Sequence, residues 1–143
     1  MNPCLACHFL LVEPNAEDAF LFECALGEMT QRASLFRCDD LALGKAYLRG
    51  DGNYRDKGKF SVPHYVMIPL QTAPEDRREF LEWFSSHGDM SAIRVIFIDK
   101  SSPDGELERP SDADSKTILQ VPPDASDLAA ILDALAKRSE RLN

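Results

Sequence analysis

The chain has 143 residues, with 16 Lys and Arg against 24 Asp and Glu for a formal net charge of -8. That length suits one hydrophobic core, and the acidic balance leaves no broad basic surface for a phosphate backbone, which excludes nucleic acid as a direct partner. The longest apolar runs, at 9–12 and 95–98, are far too short to cross a bilayer, and no basic segment followed by a long apolar stretch opens the chain, so the expectation is a soluble, cytoplasmic protein with no membrane partner.

In chain order, Phe9, Leu10, Leu11 and Val12 form a continuous apolar run, as in a parallel strand covered on both faces. Asn15 is placed to cap a helix carrying Ala19, Phe22, Leu26 and Met29 at helical spacing. Residues 34–38 read as a second strand, and Asp40 as the cap of a helix carrying Leu41, Ala42, Ala46 and Leu48. A loop rich in Gly and charge covers 50–63. Its Arg55, Lys57 and Lys59 beside Tyr54 and Phe60 form a basic and aromatic cluster, read as a solvated loop with a contact site as the alternative. Tyr65 to Ile68 make a third strand that Pro69 ends. Pro74 opens a helix with Phe80, Leu81 and Phe84 facing inward.

Residues 93–98 form the fourth strand. Between 101 and 116, Leu107 is the only large apolar residue and Pro103, Gly105 and Pro110 interrupt the pattern, so a fourth helix there is expected to be short or irregular. A fifth strand over 117–121 precedes a last helix with a stripe of Leu128, Ile131, Leu132 and Leu135. That stripe reads as core, with a dimer face including Ala129 and Ala136 as the alternative. Five strand–helix units imply a parallel sheet between helices, joined by right-handed crossovers. The expected organisation is one domain over 1–143, with a tail at 1–7, a core at 8–136 and a C-terminal tail at 137–143.

The spacing Cys4-Leu5-Ala6-Cys7-His8 matches a c-type haem attachment site. It is set aside because no export signal precedes it and His8 runs straight into a strand. Zinc and a redox dithiol are set aside too, since an activated Cys-x-x-Cys opens a helix rather than a strand. The preferred reading is a tail with two incidental reduced thiols, and no cofactor or metal is expected.

Leu10-Leu11-Val12-Glu13-Pro14-Asn15 and Tyr47-Leu48-Arg49-Gly50-Asp51-Gly52-Asn53-Tyr54 resemble the first loop, and the second helix with its following loop, of response-regulator receiver domains. The likeness is to the group that partners bacterial phytochromes. The intervals from Pro69 to Asp99 and from Asp99 to Val121 are those separating the phosphoacceptor, hydroxyl and lysine positions of receivers. Pro122 falls where the family has a proline after its lysine. The resemblance implies a flavodoxin-like (CheY-like), doubly wound five-stranded parallel sheet in strand order 2-1-3-4-5 with helices on both faces.

It also implies a phosphorylation pocket from which most of the chemistry has gone. Receivers use an aspartate nucleophile, a magnesium ion held by carboxylates, and a hydroxyl and a lysine that bind the phosphoryl oxygens. Matched residue by residue, Glu13 keeps one acid and Pro14 replaces the other. Pro69 stands at the phosphoacceptor, Asp99 at the hydroxyl and Val121 at the lysine, while Ile118 takes the aromatic switch position. The expectation is therefore no catalytic, cofactor or metal residue. The protein is expected to be no enzyme but a degenerate receiver that binds a histidine kinase or another signalling protein, and to form a possible homodimer.

Two alternatives are carried. One is phosphorylation at a relocated acid, Asp99, assisted by Glu13 and Lys100; the preferred view of Asp99 is a carboxylate compensated by a lysine, a backbone donor or water. The other is a small-molecule or cofactor binder, or an enzyme, on a flavodoxin-like fold. The first loop speaks against it, having three acids and no glycine, as does the absence of a phosphate-cradling glycine motif. His64 and His87 read as surface or strand-end histidines.

Overall fold

The computed structural model describes residues 6–56, 60–88, 92–100 and 118–142. Cys4, Lys57, Lys59 and the 101–116 stretch, with the helix expected there, lie outside the described residues. Five strands, β1 (Cys7–Val12), β2 (Ala33–Cys38), β3 (Tyr65–Pro69), β4 (Arg94–Asp99) and β5 (Ile118–Gln120), form one sheet in the order β2-β1-β3-β4-β5. Every pairing is parallel. Four α-helices accompany it: α1 (Ala16–Glu28), α2 (Leu41–Arg49), α3 (Pro74–Ser85) and α4 (Ala125–Leu142), with a 3₁₀ turn at Gly52–Tyr54. The expected flavodoxin-like arrangement is the one observed.

Local chemistry explains the helix ends. The Asn15 side chain accepts hydrogen bonds from the Glu17 and Asp18 N–H groups, and Asp40 accepts one from Leu43, so each satisfies orphan donors of a first turn. Pro74 sits in the first turn of α3, where its missing N–H removes no helical bond. Gly50 ends α2 with φ 72°, a left-handed conformation that a Cβ would strain, and its N–H reaches back to the last carbonyls.

Alternation along the strands divides the core in two. Phe9, Leu11, Tyr65, Met67, Ile96 and Ile98 face α1 and α4, meeting Ala19, Phe22 and Ala25 on one helix and Leu128, Ala129, Leu132 and Ala136 on the other. Leu10, Val12, Val66, Ile68 and Phe97 face the opposite way, toward Tyr47 and Leu48 of α2 and Phe80 of α3. Small alanines line α1 and α4 where the two helices pack against each other, whereas aromatic rings fill the second face.

Three boundaries and surfaces differ from expectation, and one follows it. Cys7 is the first residue of β1 and buried, its N–H bonded to the Arg32 carbonyl, so it is a core residue rather than a tail thiol. The last helix continues to Leu142 and buries Ser139, because its inward stripe extends past the boundary expected at 136. The stripe of α4 packs as core, as expected, and Ala129 and Ala136, the alternative dimer face, lie in the core with Leu128 and Leu132. Tyr54 and Phe60 belong to an aromatic cluster with Phe36 and Tyr47, ring centroids 4.9–6.0 Å apart, so these two rings of the loop are turned inward.

Candidate functional site

Strand order brings the ends of β1, β3, β4 and β5 to one edge of the sheet, where open parallel sheets place their ligand crevices. All five residues singled out in the sequence sit on that edge. Glu13 and Pro14 follow β1, Pro69 closes β3, Asp99 closes β4 and Val121 follows β5.

Pro69 is buried at the end of a central strand, a place where a missing N–H usually costs a ladder bond. Here it costs none. The bond to β4 is made by the next residue, Leu70, whose N–H donates to Ile98 O at 2.8 Å. The β1 pairing has already ended at Leu11 and Met67. The proline ring therefore fits the ladder while offering neither a nucleophile nor a metal ligand.

The first loop is clamped from β2. Arg37 Nε donates to Glu13 O at 2.9 Å, and its Nη2 to Pro14 O at 3.3 Å, while Glu13 N–H continues the sheet pairing to Cys38 O. This fixes the Glu13 side chain in the interior, fully buried. Its Oε2 accepts from Asn15 N–H at 3.2 Å and from Lys100 Nζ at 2.9 Å, whereas Oε1 has no hydrogen-bond partner among the described residues. The same ammonium donates to Asp18 Oδ2, also at 2.9 Å. Burial alone would push the Lys100 ammonium down, but its hydrogen bonds to Asp18 and Glu13, and their charges, outweigh this and hold its pKa above the ordinary lysine value.

Asp99 is 6% exposed, and its backbone carbonyl accepts from Val121 N–H at 2.8 Å. The neighbouring lysine turns its charge to Glu13 and Asp18. On the other side of the edge, Pro14 and Pro69 line one groove of about 690 Å³ that runs between α2 and α3. Asp39, Asp40, Asp76 and Glu79 line it against Lys45 and Arg49. Glu13, Asp99 and Val121 do not line that groove, so the edge is split into a groove lined by the two prolines and an ion cluster anchored on the buried Glu13.

Receiver chemistry calls for a divalent cation, and the residues here do not fit one. The two groove-lining prolines offer no ligand, the carboxylate of Glu13 is already bonded to an ammonium, and no three Asp, Glu, His or Cys converge among the described residues. Nor is Cys38 an activated thiol, since burial, with Asp39 and Asp40 nearby, raises its pKa to about 11.

Sequence reasoning missed three participants. Asp18 lies within α1, Arg37 within β2 and Arg77 within α3, and none of the three stands out from the periodicity of its element. Arg77 is in fact 2% exposed, donating Nη1 to Leu70 O at 3.0 Å just beyond Pro69. The one available signal was Lys100, a lone cation directly after the strand-end Asp99. His8 and His64 stack at the opposite end of the sheet, away from this site, with His8 N–H donating to His64 Nδ1 at 3.0 Å.

The strand order and the helices around the sheet define a class of fold, the flavodoxin-like doubly wound parallel sheet. No protein-family model matches the chain, and no curated protein matches it in sequence. Solved structures do. The chain is similar to the phosphorylated cyanobacterial phytochrome response regulator RcpA at TM-score 0.70 and 22% identity, over 97% of each chain. It is similar to response regulator RPA3017 of red light signalling in R. palustris at TM-score 0.71 and 17% identity, over 90% of each chain. It is also similar to the Mn²⁺-bound form of response regulator Rcp1 at TM-score 0.65 and 21% identity, over 90% of this chain and 91% of that one. At these identities the likeness establishes the fold.

Proposed function

We propose that the chain is a degenerate receiver of two-component signalling that acts without phosphorylation, by binding a histidine kinase or another signalling protein. The observation that carries this reading is Pro69, buried at the end of β3, at the position that the receiver resemblance assigns to the phosphoacceptor. RcpA is described in a phosphorylated form and Rcp1 with Mn²⁺ bound; in this chain the corresponding edge presents two prolines and an ammonium-bonded glutamate. Phosphorylation at Asp99 is disfavoured because Lys100, its nearest candidate assistant, is committed to Glu13 and Asp18.

A cofactor or nucleotide binder on the same fold is the competing class. The groove beside the prolines argues against it, since four carboxylates against two cations repel a phosphate. Work as a binding module, in the cytoplasm and without enzymatic turnover, completes the proposal. Self-association remains part of it, through surfaces other than the buried stripe of α4. Beryllofluoride with Mg²⁺, followed by sedimentation and amide NMR, tests the reading. The expected result is an unchanged oligomeric state and unmoved resonances at Glu13, Leu70 and Asp99; a stoichiometric shift at those amides contradicts it.

A further inference from the structure

We infer that Lys100 is a resident counter-ion, its ammonium standing at the strand ends in place of a divalent cation, so that the charge state of the crevice is set by the chain itself. The inference deepens the phosphorylation-independent reading and rests on it for the identity of the crevice.

Three observations carry it. The ammonium makes two 2.9 Å contacts to carboxylates supplied by separate elements, Glu13 after β1 and Asp18 in α1, a bridging geometry in which one cation serves two acids. Among the described residues it is the one cation hydrogen-bonded to the Glu13 carboxylate, since Arg37 spends its donors on the Glu13 and Pro14 carbonyls and its charge on Asp39. Finally, Glu13 is fully buried and among the described residues Oε1 has no donor, so without the ammonium its charge would be left buried with the Asn15 N–H on Oε2.

A metal ion reaching this crevice must displace a tethered ammonium and break two charge-assisted hydrogen bonds, while the flanking prolines contribute no replacement ligand. The crevice should therefore be indifferent to divalent ions. Removing the ammonium reverses this: Glu13 and Asp18 are left facing each other, and an added divalent ion can take its place.

The test is thermal unfolding of the full chain and its variants in Mn²⁺ against NaCl of matched ionic strength, with amide broadening by Mn²⁺ to locate binding. The wild type is expected to show no Mn²⁺-specific rise in Tm. Lys100→Gln and Lys100→Met are expected to melt lower in NaCl and to recover in Mn²⁺. Their Mn²⁺ affinity should be at least ~10-fold above that of the wild type, with broadening centred on Asn15 and Asp18. Adding Glu13→Gln should abolish the recovery. A variant that is unfolded in NaCl and folds in Mn²⁺ supports the inference equally. Variants that show no Mn²⁺-specific recovery, or a wild type that gains as much as they do, overturn it. Acetyl phosphate labelling of the wild type would count against the functional reading without altering this pattern, so the two failures are distinguishable.

Discussion

The body of the molecule and the rim at its strand ends obey different rules. In the body, both faces of the sheet are filled with fully buried Phe, Leu, Ile, Val and Met, in contact with matching helix stripes. At the rim, a buried proline, a buried carboxylate and a bridging ammonium stand at the strand ends, and a buried arginine reaches in from α3. Hydrophobic burial depends on volume and pattern rather than on any one functional group, so the body can keep a fold while the rim exchanges its chemistry. Function has to be argued from the rim, because one fold hosts many chemistries.

Damage to the body should have the largest effect. Leu132→Ala empties a fully buried site between α4 and the sheet, and should cost about 2–5 kcal/mol in urea unfolding, with no effect on the properties of the rim in what remains folded. At the rim, Lys100→Met strands the buried Glu13 charge and should cost about 3 kcal/mol. Glu13→Gln in the same background should restore most of that, since the loss comes from the unpaired charge rather than from packing. If the double variant is as unstable as the single one, the rim is held by packing and the contrast with the body fails.

Smaller effects probe the seams of the body. Asp133 of α4 accepts from Thr30 N–H, Thr30 Oγ1 and Gln31 N–H, tying the end of α1 to the last helix; Asp133→Ala should cost about 1 kcal/mol in the same assay. The histidine pair at the far end of the sheet should give the mildest signal. Burial lowers the pKa of His64 below 6.5, and burial together with His64 lowers that of His8. A depressed histidine favours the neutral form in the folded state, so this contribution is present above about pH 6.5 and is lost as pH falls through the depressed values. The urea midpoint should drop between about pH 7.5 and 5.5, and His64→Asn, which keeps an acceptor for His8 N–H without titrating, should flatten that drop.

What was legible in the sequence follows the same division. The five strands, the caps at Asn15 and Asp40 and the helix start at Pro74 could be read because they are local, set by periodicity and single side chains. The positions of Glu13, Pro14, Pro69, Asp99 and Val121 at the strand ends followed from spacing along a regular frame. The bond between Lys100 and Glu13 joins residues 87 apart in sequence, and depends on how β1 and β4 flank β3, which periodicity does not encode. The inward turn of Tyr54 and Phe60 was hidden for a similar reason: a loop rich in charge reads as solvated until its rings meet Phe36 and Tyr47 from other elements.

Intact-mass spectrometry after incubation with acetyl phosphate and Mg²⁺ tests the proposed loss of phosphoacceptor chemistry most directly. The wild-type chain is expected to keep its unmodified mass at every time point. A stoichiometric gain of one phosphoryl group, mapped to Asp99 or any other carboxylate of the strand-end edge, would contradict the account.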